Sequence, residues 1–378
     1  MKIVIEVSPQ LEGKRGIGVY TENLIKGLAK IDKENEYILF SWFFKNYEEK
    51  IKMLYCPEQE NFSLFIKKFP DSLVNKLEWR FKIPIIYNFL KSKNIDIYHS
   101  TGLRLPNLRN VKRVITAHDL AYKIYPEWVQ DNLNLASKSI KQADKIIVNS
   151  ENTKRDILRF YNIPEKKIAV INPGFDRTTF RPLYDMNFLS SIKNKYFLPD
   201  KFILSVGPFN PHKNHKNVIR TYHLLFRSKK LYHKLVLVGR KSFEYRNLMF
   251  LVKELGLTQQ VIFTDYIPTE ELVGVYNLAS VLVFLSLNEG FGGYPLLEAM
   301  SSGTPVIASN VSSIPEAVKE GGILVDPYNI EEIGQAIHSV LINSQLREKL
   351  RQKGLERMEG FSCEKTAKEV LKVYEGLV

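Results

Sequence analysis

Glu289 and Glu298 bracket the stretch Gly290-Phe291-Gly292-Gly293-Tyr294-Pro295, where three glycines run into a proline. Glycines let backbone N–H groups approach a ligand closely, and proline suits the first turn of a helix. The apolar run Val281–Leu285 precedes this stretch, and Leu296-Leu297-Glu298-Ala299-Met300 continues it with helical character. A helix N-terminus carries about half a positive charge, so strand, glycine turn and helix together make a seat for a diphosphate. Acids beside such a seat repel phosphate unless they bind hydroxyls. Glu289 is therefore assigned to sugar hydroxyls and Glu298 to a ribose. The alternative is a tight turn with two solvent-facing acids.

A second turn, Gly207-Pro208-Phe209-Asn210-Pro211-His212-Lys213-Asn214, closes the run Phe202–Val206. A basic residue, Lys213, thus stands six positions past the strand-ending Gly207. His212 adjoins it, and Arg240 follows the later run Leu235–Gly239; a surface lysine in a turn is the bland reading of Lys213. Gly13-Lys14-Arg15-Gly16-Ile17-Gly18 follows the first apolar run, but Thr21 occupies the third glycine position of a dinucleotide fingerprint. An NAD site is thus disfavoured and a flexible loop remains open. His118 closes Arg113–Thr116 and His99 closes Ile95–His99; a lone histidine at a strand end is more often structural, and His99 reads as a core residue. No Asp-x-Asp occurs, and His and Cys are too scattered for a zinc site, so no metal and no cofactor beyond a donor substrate are expected.

These residues need elements to position them. Apolar, β-branched runs recur at Lys2–Val7, Tyr37–Phe40, Ile95–His99, Arg113–Thr116, Lys145–Val148 and Ile168–Ile171. A second set follows at Phe202–Val206, Leu235–Val238, Val261–Phe263, Val281–Leu285, Pro305–Ala308 and Gly322–Val325. Fully apolar strands alternating with helices predict parallel sheets covered on both faces. The fold class is α/β, with two doubly wound Rossmann-like domains facing across a cleft. At 378 residues two domains are the ordinary expectation. They are placed at 1–175 and 176–360, the break falling in the Pro- and Asn-rich Pro173–Pro199. A C-terminal helix occupies 361–378, its stripe of Ala367, Val370, Leu371 and Tyr374 able to pack on either domain, a return to the first included.

The net charge of +13 is uneven, residues 1–180 holding 30 Lys and Arg against 21 Asp and Glu. Such a basic half suits an anionic partner or a solubilising surface. Phe62–Lys93 concentrates aromatics with seven Lys and Arg against two acids. It reads either as a segment lying on an anionic membrane surface or as a helical pair covering the first sheet. No run is long enough for a membrane helix, the N-terminus does not read as a signal peptide, and Cys56 and Cys363 stand far apart. A cytoplasmic protein, peripheral on the inner face of the membrane, is expected.

The stretch from Glu289 to Glu298 resembles glycosyltransferase family 4, of the GT-B fold, whose motif reads Glu-Gly-Phe-Gly-(apolar)-Pro-x-x-Glu with seven residues between the acids. Eight intervene here, the surplus lying at Gly293-Tyr294. The resemblance continues through Ala299-Met300-Ser301-Ser302-Gly303-Thr304-Pro305 and Ile314-Pro315-Glu316 to Asp326-Pro327. It implies a metal-independent, retaining transferase of a sugar from a nucleotide-sugar donor to a glycan or lipid-linked glycan acceptor. The first domain would bind acceptor and the second the donor. By this resemblance Gly16 and Gly18 flank the donor phosphate, and His118 touches the donor sugar near the reacting carbon. Gly207, His212, Lys213 and Arg240 face the diphosphate, with Lys213 the main cation on the leaving group, an electrostatic contribution that is usually the largest in catalysis. Tyr266 borders the base, and Gly290, Phe291, Gly292 and Gly293 form the phosphate loop. The family's Arg is Pro208 here. Tyr122, Tyr125-Pro126-Glu127 and Val148-Asn149-Ser150 are similar to mannosyltransferases of polysaccharide assembly, which favours GDP-mannose. Two rivals are an epimerase of the same fold and a basic nucleic-acid-binding protein; nothing in the chain resembles a reading helix or a stacking platform.

Overall fold

The computed structural model describes residues 1–12, 16–126, 133–228 and 232–378. Gly13, Lys14, Arg15 and Glu127, named above, lie outside the described residues. The chain forms two units, Met1–Phe175 with Phe361–Val378, and Asp176–Gly360.

The first unit is built on seven strands: β1 (Lys2–Glu6), β2 (Glu36–Phe43), β3 (Phe62–Lys68), β4 (Ile97–Ser100), β5 (Lys112–Ala117), β6 (Lys145–Val148) and β7 (Ile168–Val170). They pair in the order β3-β2-β1-β4-β5-β6-β7, every pair parallel. Burial alternates along them. Ile3 and Ile5 join Leu24, Leu28, Val370 and Tyr374 on one face, while Val4 joins Ile38, Phe40, Ile115 and Ile146 on the other. Helices cover both faces, as a parallel sheet with two apolar faces requires. Each fully buried side chain of this kind contributes about 1.5–3 kcal/mol.

The C-terminal helix Cys363–Glu375 belongs to this unit. Ser362 caps it, accepting from the Lys365 amide at 3.1 Å, and Ala367, Val370 and Tyr374 are buried. It crosses the helix Gly16–Ile31 at Gly27, where a Cβ would stand 2.2 Å from the Cys363 carbonyl oxygen. Only glycine permits that approach.

The second unit holds β8 (Phe202–Val206), β9 (Lys234–Val238), β10 (Val261–Thr264), β11 (Val281–Phe284), β12 (Val306–Ser309) and β13 (Ile323–Val325). Their order is β10-β9-β8-β11-β12-β13, again parallel throughout. Strand order reverses beside β1 in the first sheet and beside β8 in the second. Ligands of open parallel sheets bind past the carboxyl ends of strands at such reversals.

The structure corrects two expectations. Residues 62–93 are neither one amphipathic segment nor a helical pair alone. Phe62–Lys68 is a strand at the sheet edge, followed by the helical turns Asp71–Val74 and Asn75–Arg80 and the helix Ile85–Leu90. Phe62, Val74, Ile86 and Leu90 are buried, and Phe65, Phe69, Trp79 and Phe89 pack against the core. Most of the aromatic content of this segment is therefore interior. The first glycine pair is also not in a loop: Gly16 and Gly18 open the helix Gly16–Ile31.

Candidate functional site

The reversal beside β8 gathers the second unit's chemistry. Past β8, Gly207 has φ 152°, a conformation that favours glycine, and the turn Pro211–Lys213 follows. A Cβ on Gly207 would touch the Lys213 side chain at 3.4 Å, so the lysine stem lies across the glycine. Past β11, the backbone of Ser286–Asn288 docks on the same turn. The Leu287 amide and Ser286 hydroxyl both donate to the His212 carbonyl, at 2.7 and 3.2 Å.

Lys213 and Glu289 thereby form an ion pair, Nζ donating to Oε1, with side chains only 11% and 12% exposed. The ammonium also sits 5.3 Å from the centroid of the Phe284 ring. Gly293 closes the other side, since a Cβ there would stand 3.1 Å from the Glu289 carboxyl carbon and 2.9 Å from Phe284. A cation and an acid, both largely out of water and both at a strand-order reversal, are suited to a ligand bearing phosphate and hydroxyls together.

The glycine loop differs from the expected row of outward amides. Gly292 N–H donates to Ser313 Oγ at 3.0 Å, Glu289 N–H to Ser312 Oγ at 3.2 Å, and Gly293 N–H to the Phe291 carbonyl. Both serine hydroxyls return a bond to the Glu289 carbonyl, at 3.0 and 2.7 Å. The Gly290 amide donates to no group among the described residues. The loop amides at Gly292 and Gly293 are thus structural here, and the φ values of 60° and 85° there require glycine. Gly293 precedes the helix Tyr294–Ser301, which has Pro295 in its first turn.

Glu298 lies on that helix and accepts from Tyr276 Oη at 2.8 Å; burial pushes its carboxyl up to about 7, against the opposing pull of that hydrogen bond. Glu298 is thus tied to Tyr276. Burial, with Lys213 adding to it, holds His212 down to about 4, so that its imidazole is neutral beside the pair. The Arg240 guanidinium stacks 4.8 Å over the half-exposed Tyr266 ring, at the ends of β9 and β10. Gly239, just before it, would place a Cβ 1.9 Å from the Gly207 carbonyl oxygen, so two strand-ending glycines share one gap.

In the first unit His118 follows β5. Its Nε2 donates to the Thr101 carbonyl at 2.9 Å, and its Nδ1 accepts from Asn149 Nδ2 at 2.8 Å, a pairing that fits the neutral ring. Tyr20 stands edge-on to it at 4.8 Å, and burial holds it down to about 4. His99 is a buried core residue between Tyr374 Oη and Thr116 Oγ1, at 2.6 and 2.8 Å. Sequence reading missed Asn149 and Thr101 as partners of His118. It also missed Ser312, Ser313, Phe284 and Tyr276, whose contacts join residues distant in sequence. Among the described residues no group of three or more His, Cys, Asp or Glu is placed to hold a metal ion.

Comparison with known proteins matches residues 190–357 to glycosyl transferases group 1 and residues 14–179 to glycosyltransferase family 4. The chain belongs to the family 4 glycosyltransferases. This glycosyltransferase is 27% identical to O-antigen chain mannosyltransferase B of Escherichia coli, over 99% of this chain and 100% of that protein. Among solved structures, the sucrose-phosphate synthase of Thermosynechococcus elongatus is 21% identical with a TM-score of 0.76, covering 100% of this chain and 99% of that one. Anabaena Alr3699/HepE, solved in complex with UDP and glucose, is 17% identical with a TM-score of 0.76 and full coverage of both chains. These structures share the glycosyltransferase's fold of two parallel-sheet, Rossmann-like units, and the matches favour a transferase over an epimerase.

Proposed function

We propose that this glycosyltransferase moves mannose from GDP-mannose to a glycan or lipid-linked glycan, retaining the anomeric configuration and needing no metal or other cofactor. The acceptor is met at the inner, cytoplasmic face of an anionic membrane. The observation that carries the reading is the Lys213–Glu289 pair at the reversal beside β8. In this reading the donor diphosphate takes the ammonium of Lys213, and the released Glu289 carboxylate accepts from sugar hydroxyls. The bond from the anomeric carbon to the diphosphate oxygen breaks while the ring gains positive charge. Lys213 and the Gly290 amide absorb charge on the leaving group, with Arg240 and Tyr266 toward the base and Glu298 toward the ribose. The acceptor hydroxyl attacks from the side of the leaving group and passes its proton to the departing phosphate. His118, with Gly16 and Gly18, faces the donor from the first unit as a neutral hydrogen-bonding group.

A mannosyltransferase relative aligned over both full lengths supports the sugar, and the UDP bound by Alr3699/HepE supports a nucleotide-sugar donor. The test is a thermal-shift panel of nucleotide-sugars, followed by transfer assays with and without chelator. GDP-mannose should raise the melting temperature most, since ligands stabilise by mass action. A larger shift with a UDP-sugar would replace the assigned donor, and loss of transfer on chelation would remove metal independence.

A further inference from the structure

We propose that the tip Phe81-Lys82-Ile83, with the exposed stripe Leu73, Lys76 and Arg80 leading into it, docks the enzyme on an anionic lipid bilayer. The core of the first unit absorbs most of the large side chains of this segment, and Lys67 and Lys93 lie over the packed Phe65 ring at 4.7 and 4.5 Å. Four apolar side chains remain outside: Leu64 at 38% exposed, on the edge strand, and Leu73 at 40%, Phe81 at 55% and Ile83 at 44%, which lie together in the turns that follow it. Lys76, Arg80 and Lys82 alternate with them, all exposed, and Lys76 Nζ stands 5.9 Å from the Phe81 ring.

The acids decide the partner. Between Asp71 and Asp96 the sequence holds one acidic residue, Glu78. It is buried, its two oxygens accepting from the Asn107 amide at 2.7 Å and the Ile86 amide at 3.1 Å. From Leu73 to Lys93 the outer surface therefore carries cations and apolar groups with no exposed acid among them, the exposed Asp71 standing at its border. That combination complements a negative lipid surface, where each basic residue contributes attraction and the apolar side chains enter the headgroup boundary.

The tip is also held rigid. Glu78 pins the chain behind it, Phe81 and Ile83 amides donate to the Lys76 and Leu77 carbonyls at 3.0 and 2.9 Å, and Lys82 takes φ 58°. A lysine in the left-handed region costs energy that a free loop would not retain. The turn thus keeps Phe81 and Ile83 outward instead of folding them onto the protein.

The inference rests on the lipid-linked acceptor proposed above for its purpose, but its test is separate. The full chain is sedimented with phosphatidylcholine vesicles and with vesicles containing phosphatidylglycerol, at low and high salt. Binding should require the anionic lipid, weaken with salt, and fall roughly tenfold in Phe81→Ser/Ile83→Ser. Lys76→Glu/Lys82→Glu should act in the same direction, and Phe250→Ser, an exposed apolar residue of the second unit, should change nothing. Equal binding by the tip variants, or none by the parent at low salt, overturns the proposal. So does a concentration-dependent dimer that the tip variants abolish, which would make the patch a contact between copies. Transfer to a soluble acceptor reports on the catalytic reading independently: it should survive in every tip variant, and its absence in the parent would sink that reading while leaving the vesicle result standing.

Discussion

His118 and Lys213 both follow strands of parallel sheets, yet their surroundings are opposite. Among the described residues the His118 ring meets neutral groups: a carbonyl, an amide and the edge of a tyrosine ring, with burial holding the imidazole at about 4. Around Lys213 charge is kept under cover, paired with Glu289 above an aromatic face. Charge held in a low-dielectric setting acts strongly on any anion that displaces its partner. In the proposed reading the first unit orients and the second stabilises a leaving diphosphate.

The most severe test removes the charge. Lys213→Ala should lower turnover about a hundredfold, roughly 3 kcal/mol of barrier. His118→Gln, which substitutes one neutral group for another, should cost no more than about tenfold. Steady-state kinetics with saturating nucleotide-sugar compares them. Near-native turnover in Lys213→Ala, or a larger loss in His118→Gln, would invert the division of labour.

A second pair of predictions uses acidity, with opposite signs in the two units. His118 has a folded value of about 4 against an ordinary 6.5, so the folded form resists protonation. Its contribution to stability is present above pH 6.5 and is lost as pH falls toward 4. Glu298 is raised from 4.5 to about 7, so its contribution is present below pH 4.5 and lost as pH rises through 7. Each is worth at most about 3 kcal/mol. Melting curves should show the parent losing ground to His118→Gln on acidification from pH 6.5 to 4. Against Glu298→Gln the parent should lose ground between pH 4.5 and 7. Parallel melting curves for either pair would mean that the group titrates normally.

The same contrast explains how much the sequence disclosed. Strands such as Phe202–Val206 are apolar on both faces because both faces are covered, and such runs are conspicuous. β3 escaped notice because an edge strand mixes Ser63, Lys67 and Lys68 with its apolar residues, as edges do to avoid unwanted pairing. The helix from Gly16 hides in the sequence because glycine is a poor helix former. Lys213 and Glu289 stood out by motif, but not their pairing, which depends on two strands lying side by side. The aromatics of 62–93 fit either reading in sequence, because a stripe that packs on a sheet and one that meets lipid have the same composition. Only the burial of individual residues separates Phe65 from Phe81.

The smallest effect bears on the glycine loop. Ser313 Oγ accepts from the Gly292 amide and donates to the Glu289 carbonyl, so Ser313→Ala removes two bonds at once. Ser312 still holds the Glu289 carbonyl and amide. Two consequences compete. The loop loses a tether, which lowers its preorganisation, while the Gly292 amide becomes available to a phosphate. A net hydrogen bond is worth about 1 kcal/mol, so either outcome is a several-fold change in donor KM. The geometry favours the tether: with φ at Gly292 and Gly293 fixed by the turn, a slackened loop should raise KM and leave kcat within about twofold. A fall in KM would show instead that the serine withholds an amide from the donor. The row of N–H groups suggested by three glycines would then be the true phosphate seat, and the second unit would work by amides as much as by its ammonium.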